Sequence, residues 1–98
     1  MARFDVYDTD AGLFVDVQTN LIQGLNTRLV VPLLLEDDAP PLLLRKLHPV
    51  FPLAGRRYVM ATQLMVAVPE RALGRPIASL DEHYDRIVAA LDMIFLGF

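Results

Sequence analysis

The sequence has 98 residues, a formal net charge of −3, 54% hydrophobic residues and no cysteine. That length bounds one small domain over residues 1–98 with a limited core. The charge speaks against a broad phosphate-binding surface, and the missing thiols exclude disulfides, cysteine nucleophiles and thiolate metal sites.

Residues 3–8 alternate polar and apolar and predict a half-buried strand. Thr9-Asp10-Ala11-Gly12 supplies turn residues and residues 13–18 alternate again, which together predict an antiparallel hairpin. Residues 19–26 are irregular, with Gly24 and Asn26 able to turn the chain. Within them Leu21-Ile22 is an apolar pair in a loop, either core cover or contact surface. Residues 27–35 are β-branched and leucine-rich, and Pro32 places their second half at a sheet edge or bulge. An exposed acidic turn is expected at 36–41, too stiffened by its prolines for a metal cage. Residues 42–53 predict a short or irregular extended piece, 54–57 a turn, 58–68 one long strand, and 70–73 a single helical turn.

The last twenty residues predict a helix. Ser79 and Glu82 have the spacing of a capping box, and Glu82 precedes Arg86 by four as a surface pair. Tyr84, Ile87, Val88, Leu91, Ile94 and Phe95 step by three and four, which sets them on one stripe. Burying all six would contribute roughly 10–15 kcal/mol gross, at about 1.5–3 each. Ala90 and Met93 open a second apolar strip beside Leu96. Helix ends are normally polar and frayed, whereas this one runs out in Met93, Ile94, Phe95, Leu96, Gly97 and Phe98. Something must cover that end, and the mean hydropathy of +0.38 predicts that a second copy shares the task. Several strands followed by one helix predict an α+β fold, mainly β, with an antiparallel sheet and the C-terminal helix packed on it.

Catalytic chemistry is sparse. Ser79 is the only serine and is taken by the cap, so no Ser-His-Asp or Cys-His arrangement can be assembled. His48 and His83 read as structural or solvated, and Asp5, Asp8, Asp10 and Asp16 are spread over both faces of a hairpin. No phosphate-binding glycine motif or zinc helix is present, and no metal or cofactor is expected. The first ten residues lack the apolar core of a signal peptide, and the longest apolar runs are too short to span a bilayer, which predicts a cytoplasmic protein. The residues favour a binding protein over an enzyme and do not identify the partner.

The stretch Leu13-Phe14-Val15-Asp16-Val17-Gln18 resembles the CcdB family, the toxins of plasmid-type toxin–antitoxin pairs. Arg28-Leu29-Val30-Val31-Pro32-Leu33 is similar to that family's RMVIPL segment, Leu47-His48-Pro49-Val50 to LYPV, and Val68-Pro69 continues the match. Asp92-Met93-Ile94-Phe95-Leu96-Gly97-Phe98 stands against NLMFWGI. The resemblance implies the SH3-like toxin fold of the CcdB/Kid/MazF type and a bacterial homodimer that serves plasmid maintenance. It further implies poisoning of DNA gyrase, a type II topoisomerase, by binding its A subunit, with neutralisation by a CcdA-like antitoxin. No catalysis of its own, direct nucleic-acid contact or membrane is implied. Family contact positions fall on Leu96, Gly97, Phe98, Leu21, Ile22, Asp92 and Phe95, while Ile94, Met93 and Leu91 serve the dimer or the core. Leu96 stands where the best-known members carry tryptophan, and Asp92 replaces a neutral amide. Two alternatives stay open: a non-toxic or retargeted relative that binds antitoxin only, and a Kid/MazF-type endoribonuclease drawing on Arg56, Arg57 and Arg71 or Arg75.

Overall fold

Polar–apolar alternation in the first eighteen residues becomes a hairpin. In the computed structural model, which describes residues 2–39 and 44–98, β1 (Asp5–Thr9) and β2 (Gly12–Asp16) pair antiparallel with Thr9 opposite Gly12. The strand begins at Asp5 rather than Arg3 because buried Phe4 takes φ +72°, a left-handed conformation unusual for an aromatic residue. Its surroundings hold it there: its N–H donates to Asp16 O at 2.6 Å and its carbonyl accepts from Leu80 N at 2.9 Å.

β3 (Thr27–Leu35) follows the predicted run and is central, paired with β2 on one side over Val30, Val31, Pro32 and Leu33. On its other side it meets two strands in turn. β6 (Val66–Pro69) pairs with its first half and β5 (Arg56–Met60) with its last three residues. Pro32 lies between them. It therefore sits inside a central strand, not at an edge, at the one place where its missing N–H leaves no gap in a ladder: its carbonyl accepts from Ala61 N at 3.0 Å, just past the end of β5. This corrects the single strand expected over 58–68, which is broken by a 3-10 turn at Thr62–Leu64. Thr62 is buried there, its hydroxyl donating to the Leu47 carbonyl.

β4 (Val50–Leu53) joins β5 through Ala54-Gly55, both at positive φ (53° and 78°), the signature of a primed hairpin turn. Arg56 and Arg57 thus belong to the strand and not to the expected turn. Arg57 donates to Glu36 at 2.9 and 3.2 Å, holding the acidic 3-10 turn Glu36–Asp38 against β5. The end of the predicted acidic turn and the start of the 42–53 piece lie outside the described residues. The predicted helical turn is a 3-10 turn at Glu70–Ala72, followed by buried Leu73, and β7 (Ala78–Ser79) closes the sheet against β1. Strand order is β4-β5-β3-β2-β1-β7, with β6 also on β3.

The capping box does not form. Ser79 is drawn into β7 opposite Asp5, its Oγ accepts from Asp81 N at 3.1 Å, and a 3-10 turn at Asp81–His83 precedes α1 (Tyr84–Leu96). Arg86 lies over the Phe51 ring at 4.8 Å, while Glu82 faces His83, so the expected Glu82–Arg86 pair is replaced by a cation–π contact. Of the six stripe residues only Ile87 and Leu91 are buried, joined by Ala90. They meet Phe4, Val6, Val15, Val31, Leu33, Phe51 and Met60 on one face of the sheet. Val88 is partly buried, Tyr84 packs edge-on against Phe4 while half exposed, and Ile94 and Phe95 are exposed. The packing of the helix therefore stops about one turn short of its end.

Candidate functional site

The exposed end of α1 is a defined surface. Gly97 takes φ +83° and donates its N–H to Asp92 O at 3.2 Å and Met93 O at 3.1 Å, closing the helix with a left-handed cap. A side chain at Gly97 would have open space around it but would strain this φ. The cap gives Phe95, Leu96 and Phe98 a set backbone while leaving them 67%, 61% and 74% exposed. Leu91 belongs to the core, Met93 is half-buried and Ile94 is exposed, so only the first of the three dimer-or-core residues is covered within one chain. Exposed Asp92 adds a carboxylate to a helix terminus that already carries partial negative charge and has no basic residue in its last turn. The tip is apolar and electronegative.

The second predicted group sits on the loop between β2 and β3, where residues 20–27 are all exposed. Leu21 is 90% exposed, so almost none of its side chain is covered by its own chain. Ile22 is half-covered, and Leu25 joins them as an exposed side chain that sequence reasoning missed, though its place three residues after Ile22 was visible. One chain therefore exposes apolar side chains both at the helix tip and on this loop.

Beneath the loop lies a buried ion pair that the sequence reading also missed. Asp16 Oδ2 accepts from Arg28 Nε at 2.7 Å, and both residues are buried. Asp16 Oδ1 accepts from Gln18 N at 3.0 Å, and Gln18 Oε1 accepts from Leu29 N at 3.1 Å. The signal was a carboxylate and a guanidinium flanking one loop inside otherwise apolar strands. Nearby, Tyr7 is fully buried, and among the described residues its hydroxyl has no hydrogen-bond partner. Burial raises the phenol above its ordinary value, Asp5, Asp16 and Glu70 add to the rise, and Arg28 opposes it. An unpartnered buried hydroxyl is a net cost. Tyr7→Phe is therefore expected to stabilise the fold by about 1 kcal/mol, read from the urea midpoint; a loss of stability would show that the hydroxyl has a partner.

The histidines are occupied structurally. His48 Nδ1 accepts from Leu44 N at 2.9 Å and its Nε2 lies 2.7 Å from Gln63 Oε1, which fixes the Nε2-protonated tautomer and ties residues 44–48 to the 3-10 turn at Thr62–Leu64. His83 packs on Phe51 with ring centroids 4.8 Å apart. Among the described residues, no group of three or more His, Asp or Glu side chains is placed to hold a metal ion, and no helix is long and apolar enough to cross a membrane. Against known families, the model described as CcdB protein matches residues 3–97.

Proposed function

Because the chain belongs to the CcdB family, we propose that it is the toxin of a toxin–antitoxin module that binds the A subunit of DNA gyrase and traps the cleaved-DNA complex. It makes and breaks no bond itself. The observation that carries this reading is the capped tip, where Phe95, Leu96 and Phe98 are exposed at the end of a helix whose preceding turns are packed. Asp92 and Gly97 complete that contact, and Leu21 and Ile22 supply a second one. A second copy covers Ile94 and part of the remaining apolar surface, giving the homodimer, and a CcdA-like antitoxin neutralises the toxin.

Expression of the full chain in a gyrase-sensitive host is expected to arrest growth, while a version lacking Leu96, Gly97 and Phe98 does not. Equal growth of the two strains removes the reading. Leu96 and Asp92 favour one alternative, a relative that keeps antitoxin binding without poisoning gyrase. Dimerisation and tight antitoxin binding with no growth effect would establish it. The endoribonuclease reading ranks behind both, since Arg57, one of the arginines it would draw on, is engaged by Glu36.

A further inference from the structure

We propose that the buried Asp16–Arg28 pair is a positioning device for the loop of residues 19–26, setting how Leu21 and Ile22 meet their partner. This rests on the reading that the loop pair is a contact surface. Asp16 is the last residue of β2 and Arg28 the second of β3, so the pair spans the two roots of the loop. The hydrogen bonds of the pair run to those roots. Besides the ion pair at 2.7 Å, Asp16 Oδ1 takes the Gln18 N–H, and Arg28 Nη2 donates to Gln18 O at 3.4 Å. Gln18 then reaches across to Leu29 N, and Val17 N donates to Leu29 O at 3.0 Å. Beyond the roots the loop has little to rest on. A polar recess of about 300 Å³ opens between Ile22, Leu25, Arg28 and Glu70. Among the described residues, the remaining tethers to the rest of the chain are Arg3 N to the Asn20 side chain and Glu70 N to Asn26 O, each at 2.8 Å, while Leu21 N donates within the loop to Thr19 Oγ1 at 3.2 Å. A buried ion pair roughly breaks even in stability against an apolar pair of similar volume. Its geometric effect here is specific: it fixes the direction in which an otherwise exposed loop leaves the sheet.

The test uses the full chain and two variants. The double variant Asp16→Leu/Arg28→Met replaces the pair with apolar side chains. Arg28→Lys keeps the charge but gives up the second guanidinium arm to Gln18. Thermal melting, amide hydrogen exchange by residue, and affinity for the gyrase A subunit are measured on each. Melting close to wild type is expected for the double variant, with amides of residues 19–26 exchanging at least about tenfold faster and those of β2 and β3 unchanged. Affinity is expected to fall about tenfold, equivalent to ~1.4 kcal/mol, because the loop must then be ordered on binding. Unchanged loop exchange and affinity overturn the inference, as does faster exchange spread evenly through β2 and β3, which marks a pair that only supports the sheet. If the double variant does not fold, Arg28→Lys carries the same readouts. If the wild-type chain does not bind gyrase, the proposed function fails, while loop exchange still decides whether the pair positions the loop.

Discussion

Replacing Arg28 alone with methionine is expected to lower folding stability by about 3–5 kcal/mol, because it strands a fully buried carboxylate. Asp16 is 0% exposed and is left with only the Gln18 amide as donor, which is too little to replace a guanidinium at 2.7 Å. A small domain holds about 5–15 kcal/mol in total, so the loss takes a large share of it. It is read as a lower urea midpoint at unchanged slope, and in heat as roughly 4–8 °C of Tm for each kcal/mol. The double variant with Asp16→Leu is expected to recover most of the loss, because the stranded charge is gone. A cost below about 1 kcal/mol for Arg28→Met, within the range of an ordinary substitution, would show that water reaches Asp16.

What was legible in the sequence is what local patterns decide. The β1–β2 hairpin, the β-branched β3 and the terminal helix follow from alternation, propensity and three-four spacing. The misread places each depend on a distant partner. Tyr58 to Val68 is locally a good strand, and the break in it faces a proline on β3 some thirty residues earlier in the chain. Ser79 has the right spacing for a cap but pairs instead with Asp5. Phe4 bends because Asp16 and Leu80 both bond to its backbone, which no local rule foresees. For the site, the greasy helix end is visible in composition alone, whereas Asp16 and Arg28 lie on different strands and meet only once the sheet is formed. The helix stripe predicts a longer buried face than forms, for a related reason. Periodicity says which residues share a face and not how far the opposing sheet extends, so Phe95 followed the pattern into solvent.

With the gyrase A subunit as the proposed partner, Leu96→Trp is expected to tighten binding by about 2–30-fold, the equivalent of ~0.5–2 kcal/mol of cation–π attraction to a cation on that partner. The tip can accept the change without repacking, since Leu96 is mostly exposed and the cap beneath it is formed by backbone atoms of Asp92, Met93 and Gly97. Folding stability should therefore stay within about 0.5 kcal/mol of wild type, which separates a contact effect from a folding effect. Asp92 lies four residues before Leu96 and so on the same side of α1, where its charge adds to the negative end of the helix. A guanidinium drawn to that carboxylate would lie beside the introduced indole. The gain from Leu96→Trp is accordingly expected to shrink when Asp92 is also changed to Asn, and calorimetric titration of the four combinations measures the coupling. A gain below twofold in both backgrounds would mean that the target offers the tip no cation, and that Leu96 meets it through apolar contact alone.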